Sequence, residues 1–421
     1  MKTTINFLWI LAAALMIGVA SCSKDDADLD KAKTKSVLLK ISQKSPPKTY
    51  AIDPFVEDET EINFNNGQLY FLDSSNNIVK HYYLAEGNVE DWIGFYYMVD
   101  DLHETNFISM DDLLSGVVVI EDLDEDVVEV MLIGNSLWAY DEYGTYDFKE
   151  PLPRTGNMYD ILYNNTVKII DQGFYEYVNL IGSSALVPIE GEGNQFECNI
   201  GLYPTLSRIE ITDVCAGGNI RSFVLNGIFL DHTYTEAQYD GAINEESFVM
   251  NLPIPNLYNS PSEAELYGWP YSGITFDWFP IGVAAVKKQE VSANFPLKLP
   301  PNSDNGKVDF GSNMVCAYNV FADGGHNFPR IILRLSMIDV VGEGLIEGPQ
   351  FVTITGFKDK GGSPLYSMNS GEIYNMGAGK LTFTEKHLFD QPHPDIDLDV
   401  EVSVRLPQWQ VEVTKPDFYI P

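Results

Sequence analysis

The sequence predicts an all-β protein: two antiparallel β-sandwich domains in series after a lipoprotein signal peptide. Three observations predict it. Apolar and polar residues alternate in many short runs, as half-buried strands require. Aromatic residues are abundant, with 23 Tyr, 23 Phe and 6 Trp, and together with many Val, Ile and Thr they suit a pleated, half-buried surface. No segment after residue 21 keeps a long helical period.

The elements follow in chain order. Val37, Leu39 and Ile41 alternate with Leu38, Lys40 and Ser42, so a first strand is expected over 36–43. Ser45-Pro46-Pro47 ends it, because proline cannot donate to a ladder. Residues 68–72 and 78–84 flank Asp73-Ser74-Ser75-Asn76-Asn77, the signal of a hairpin with a turn-rich loop. Residues 117–120 and 127–133 flank an acidic turn, and a short helix fits 110–114. Further strands are expected over 166–170, 174–181, 206–214, 220–228, 315–321, 330–338 and 351–357, with a proline-rich loop over 251–278. The cleanest alternation closes the chain. Leu398, Val400, Val402, Val404 and Leu406 form one face and Asp399, Glu401, Ser403 and Arg405 the other. After Pro407 the apolar set becomes Trp409, Val411 and Val413. A one-residue slip turns a strand over, so Pro407 should mark a bulge or a change of sheet. The expected organisation is a signal peptide over 1–21, an acidic tether over 22–35, an N-terminal sandwich over 36–230 and a C-terminal one over 231–421.

The amino terminus reads as an export address. Lys2 precedes an apolar run over 5–20, and Val19-Ala20-Ser21 places small residues ahead of Cys22. That is the layout of a secretory signal with a lipobox. Cys22 is the expected lipidation site, and the mature protein is expected on the outer membrane at the cell surface. The run is shorter than the ~20 residues that a membrane-spanning helix needs. Two or three acyl chains would hold the protein stably, since each buried methylene contributes about 0.8 kcal/mol.

Composition excludes several partners. Acidic residues outnumber basic ones by 61 to 26, for a net charge of −35. Such a chain lacks the basic face that nucleic acid requires and would not dock electrostatically on anionic lipid. Beyond Cys22 there remain only Cys198, Cys215 and Cys316. An odd count is no disulfide framework; Cys198 and Cys215 either pair or stay as buried thiols.

Catalytic signatures are missing. There is no G-x-S-x-G, H-E-x-x-H, G-K-[ST] or G-x-G-x-x-G pattern. Asp122, Asp124 and Asp126 begin like a calcium loop, but Val127 stands where glycine is required and Ile133 where the last glutamate belongs. No enzyme activity, metal or cofactor is expected.

Four segments carry a family resemblance. Leu186-Val187-Pro188-Ile189-Glu190-Gly191 is similar to a Pro-Met-x-Gly segment, with Ile189 in place of methionine. Leu206-Ser207-Arg208-Ile209-Glu210-Ile211 is similar to a Leu-x-Arg strand. Gly371-Glu372-Ile373-Tyr374 resembles the segment that opens the last strands, and Trp409 to Val413 a terminal tryptophan strand. In order and spacing, together with the lipobox, these resemble the fimbrillin family, the lipoprotein-derived subunits of type V pili. The resemblance implies two Greek-key/transthyretin-like sandwiches, in a subunit that loses its anchor and first strand to a protease and then accepts a strand from another subunit. Ladder hydrogen bonds would supply affinity and alternate side chains would fill pockets. Here Val37, Leu39 and Ile41 would be the plugs of the displaced strand. Trp409, Val411 and Val413 would belong to the donor strand. The partners would be other pilin subunits, the outer membrane through the lipid, and a host or bacterial surface ligand. The family's processing site is usually an arginine, yet none precedes Arg154, so Lys44 and Lys48 are the candidates. If arginine is required, the protein keeps its lipid as an anchor or terminal subunit. The alternative function is a surface glycan-binding lipoprotein of a nutrient-uptake system, with Trp269, Tyr271, Trp278 and Phe279 as a stacking platform.

Overall fold

The computed structural model describes residues 34–43, 61–62, 64, 66–85, 107–114, 118–140, 146–169, 178–211, 214–250, 276–286, 316–322, 328–376, 381–392, 398–405 and 408–409. The first half of the chain contributes β1 (Lys35–Gln43), β2 (Glu61–Ile62), β3 (Asn66–Asp73), β4 (Ile78–Ala85), β5 (Phe107–Ser109), β6 (Val118–Leu123), β7 (Val127–Gly134), β8 (Trp138–Tyr140), β9 (Tyr146–Phe148), β10 (Thr166–Lys168), β11 (Leu180–Ala185), β12 (Val187–Pro188) and β13 (Gln195–Pro204). The second contributes β14 (Ser207–Ile211), β15 (Cys215–Ala216), β16 (Ile220–Asp231), β17 (Thr233–Tyr234), β18 (Glu236–Gln238), β19 (Phe248–Val249), β20 (Phe276–Val286), β21 (Cys316–Val320), β22 (Arg330–Val340), β23 (Gly344–Ile346), β24 (Gln350–Ile354), β25 (Gly356–Lys358), β26 (Pro364–Leu365), β27 (Ile373–Met376), β28 (Thr382–Phe383), β29 (Asp399–Glu401), β30 (Ser403–Arg405) and β31 (Gln408–Trp409). Among the described residues two short α-helices, α1 (Met110–Leu114) and α2 (Met158–Asn164), interrupt them. The all-β class is as expected, and so is α1. α2 was not foreseen. Asn157 caps it by accepting from the Tyr159 N–H, and Met158, Ile161 and Leu162 supply its buried stripe.

β3 and β4 form the expected hairpin. Asp73 closes its turn, with Oδ1 accepting from the N–H groups of Ser75 (2.8 Å) and Asn77 (2.9 Å) and Oδ2 from the Asn77 side chain (3.0 Å). These bonds, the Asn77 side chain's first, hold the Asp73 carboxyl below the usual carboxylate range. The acidic turn between β6 and β7 works differently. It joins strands that do not pair with each other, since β6 pairs with β1 while β7 pairs with β3 and β11.

One path of strands runs β5-β4-β3-β7-β11-β13-β1-β6, with β12 beside β13. β13 spans two neighbours. Its Tyr203 and Pro204 pair with Ile181 and Leu180 of β11, and its residues 195–202 pair with β1. Where β11 and β13 part, the backbones approach so closely that a Cβ on Gly182 would collide with the Gly201 carbonyl. These strands enclose one hydrophobic core. A second core is built on β14, β16, β21, β22, β24, β27 and the closing strands.

The chain passes from the first core to the second between Leu206 and Ile209. Ala237 returns to the first core because its strand, β18, pairs with β10. The closing alternation is buried as predicted at Leu398, Val400, Val402 and Val404. Its sheet changes within that run, however: β29 pairs with β25, and β30 with β27. Across Pro407 the chain changes partner again, to β2. Cys198 and Cys215 are both buried and form no bridge with each other.

His81 of β4 is buried between Tyr70 and Tyr83, with ring centroids at 4.7 and 4.5 Å. Burial, and then the Arg154 charge, push its pKa down to about 3. The unfolded chain takes up this proton near pH 6.5 and the folded one only near 3. Stability therefore falls as pH drops through that window, by up to about 1.4 kcal/mol per unit. His81→Phe should reduce the stability loss between pH 6.5 and 4.5 by about 2 kcal/mol in urea unfolding. An unchanged loss would show that acid acts elsewhere.

Candidate functional site

The first strand is not at an edge. β1 lies between β13 and β6. It runs parallel to β13 over eight register pairs, from Ser36↔Gln195 to Gln43↔Leu202. It runs antiparallel to β6 through Lys35↔Leu123, Val37↔Ile120, Leu38↔Val119 and Leu39↔Val118. A β-bulge shifts this second register between Lys35 and Val37, and Asp122 on the opposite strand takes a left-handed φ of 55°. Bulges of this kind bend and terminate pairing near sheet edges.

The inward face of β1 supplies the adhesion. Val37 and Leu39 are fully buried and Ile41 nearly so. They share a core with Cys198 and Ile200, two of their β13 register partners, and with Met110 and Leu113 of α1, the helix that packs against β1. Burying each such side chain is worth about 1.5–3 kcal/mol, so three of them dominate over anything on the outer face. There, Lys40 Nζ stands 3.0 Å from Glu197 Oε2, with both side chains substantially exposed. Such a pair contributes about 1 kcal/mol or less. Ser42 donates to Asn199 Oδ1 at 3.1 Å. Lys35 Nζ donates to the Val127 carbonyl at 2.7 Å and lies 5.0 Å from the Phe196 ring centroid. The entry to the strand is also fixed. The Ser36 N–H donates to the Asn194 carbonyl, and Asn194 Nδ2 donates to the Thr34 carbonyl, both at 3.1 Å. Packing and two ladders give the strength, whereas the outward contacts are ones that distinguish one strand from another.

Cys198 belongs to the floor of this slot. It is in register with Leu39, and its Sγ lies 3.5 Å from the Ser184 carbonyl. Burial pushes its thiol up to about 11, so it stays protonated and unreactive while β1 is in place.

Of the residues singled out from sequence, Val37, Leu39 and Ile41 come together in this core. Trp409 lies on β31, in register with Ile62 of β2. Val411 and Val413 lie outside the described residues, as do Cys22, Lys44, Lys48, Trp269 and Tyr271. Trp278 and Phe279 lie on β20, with Trp278 in register with Gly227. The strands that flank the slot, β13 and β6, were not foreseen as part of the site. Phe196, Cys198, Ile200 and Leu202 do alternate along β13, but alternation names no partner. Among the described residues no group of three or more His, Cys, Asp or Glu could hold a metal.

Two of the four resemblance segments become neighbours. β14 pairs in parallel with β27, Arg208↔Ile373 through Ile211↔Met376. The Arg208 N–H donates to the Glu372 carbonyl (3.0 Å), the Gly371 N–H to the Leu206 carbonyl (2.8 Å) and Ser207 Oγ to the Asn369 carbonyl (2.7 Å). Gly371 has a φ of 81°, which favours glycine. Buried carboxylates complete the seam: Glu210 pairs with Arg208 at 2.9 Å and accepts from Asn375, and Glu372 accepts from the Tyr374 hydroxyl at 2.6 Å. Leu206 and Ile373 face the first core, while Ile209 and Tyr374 face the second.

No family model matches the chain, and no curated protein matches it. Solved structures do align with it. A protein provisionally described as a cell adhesion protein of Bacteroides eggerthii shares 12% identity over 90% of this chain and 97% of its own, with a TM-score of 0.45. A fimbrilin of Porphyromonas gingivalis shares 10% over 89% and 97%, with a TM-score of 0.40. A tip fimbrial protein of Porphyromonas gingivalis shares 10% over 90% and 100%, with a TM-score of 0.35.

The slot makes a thiol prediction. In a mature chain with Cys22, Cys215 and Cys316 replaced by serine, Cys198 should react slowly with Ellman's reagent. Leu39→Ala, which loosens the strand above it, should speed the reaction about tenfold or more. Equal rates would mean that the thiol is reached by another route.

Proposed function

We propose that the chain is a structural subunit or anchor of a cell-surface fimbrium, with a role in adhesion. Proteolysis removes its first strand, and a strand from another subunit takes the vacated place. The observation that supports this reading most is the position of β1: a single strand, next in sequence to the lipobox and tether, fills an interior slot with three buried plugs. Removing it would uncover two ladder edges and an apolar groove, which is unstable in water and competent for strand addition. The lipobox would deliver the subunit to the outer surface with its anchor on the removable side of the cut.

Lys44 and Lys48 are the proposed cleavage points, since they follow β1 directly and neither precedes a proline. The segment beginning at Trp409 is the proposed donor, with Val411 and Val413 continuing its apolar face. The partners are then other pilin subunits. A subunit that resists cutting would keep Cys22 in the membrane and serve as the base of the fibre.

Trypsin treatment of purified mature protein checks this. Cleavage near Lys44 or Lys48 should be followed by ladders of oligomers that resist SDS. A protein cut at that place that stays monomeric at high concentration would remove the polymer reading.

A further inference from the structure

The strand beyond β1 depends on it. Among the described strands β6 pairs with β1 alone, and Lys80 of β4 adds one long bond, 3.5 Å, to the Glu121 carbonyl. Its inward side chains Val118, Ile120 and Leu123 lie in the same core as Val37, Leu39 and Ile41. α1 packs against β1 as well. The strands next in sequence are held independently, β5 by β4, and β7 by β3 and β11. β13 also pairs with β11 and β12.

We propose that β1 is the clip that holds β6 on the first core. Loss of β1 frees β6 while β13 stays in place. A strand that fills the slot must therefore bind β6 back onto the sheet as well as pair with β13. This last step rests on the strand-exchange reading above; the clip itself does not. The partner so defined is an extended segment that offers backbone hydrogen bonds on both edges. It needs three alternate apolar side chains inward and no carboxylate outward beside Glu197, which Lys40 now faces.

Collapse of β6 onto β13 is the competing outcome, and the geometry opposes it. Neighbouring strands stand about 4.8 Å apart, so β6 would have to cross that distance. Its connection to β7 is short and internally bonded: the Asp126 N–H donates to Asp124 Oδ1 at 3.1 Å, and the Val127 N–H to the Asp124 carbonyl at 3.2 Å. The bulge at Asp122 also fits β6 to β1 in particular, opposite Lys35 and Val37.

Hydrogen exchange on the whole mature chain tests the clip. The chain carries Cys22→Ser and a specific protease site in place of residues 45–48. After cutting and removal of β1, the β6 amides should exchange about a hundredfold faster or more, while β7 and β11 keep their protection. In the uncut chain, Leu39→Ala should lower protection of β1 and β6 by the same factor, which keeps the test valid if the cut chain loses its fold. Protected β6 amides in either experiment overturn the clip. Ladder formation with β6 still protected would sink the clip and leave strand exchange standing. A freed β6 in a chain that never polymerises would do the reverse.

Discussion

The insertion of Val37, Leu39 and Ile41 between two ladders governs the first half of this molecule. A strand at a sheet edge can leave at the cost of one ladder and little else. β1 instead bonds on both sides and plugs the core beneath, so its departure changes the sheet, the core and the neighbouring strand together. Its ladder with the long β13 is parallel, the slightly weaker arrangement per residue. The strand is thus held mainly by burial of its inward face. Burial is indifferent to chain identity, and any strand with the same alternation meets the same driving force. The slot is a structural necessity, and under the proposed strand exchange it is the place where one segment would substitute for another.

The second half has a core of its own. The seam between the cores is made by residues 206–211 and β27, whose side chains face one core at Leu206 and Ile373 and the other at Ile209 and Tyr374. Glu210 and Glu372 are buried there with partners in place. Asn375 Nδ2 donates across the seam to Glu210, and the Arg208 and Gly371 N–H groups and Ser207 Oγ also bond across it, which ties residues 206–211 to 369–376 in one register. The plugs of β1 lie in the first core.

The sequence carried the local facts well and the non-local ones poorly. Period-two alternation revealed β1, the β3–β4 hairpin and the closing run, because each is a property of consecutive residues. It could not show that β1 sits beside β13, some 160 residues away, nor that the acidic turn after β6 joins strands that do not pair. Alternation marks faces and leaves neighbours open. Residues 206–209 pass from one core to the other and β18 turns back to β10, so no composition shift marks the division. That Cys198 and Cys215 do not bridge each other likewise followed from placement and not from spacing.

The central claim is that the site of β1 accepts an extended strand in trans. Fluorescence anisotropy with a labelled peptide of residues 35–43 tests it most directly, using the mature chain before and after cutting beyond β1 and removal of that strand. Saturable binding to the cut chain alone, lost when Leu39 of the peptide becomes aspartate, is the predicted result. Equal binding to cut and uncut chains, or binding to neither, would contradict the account.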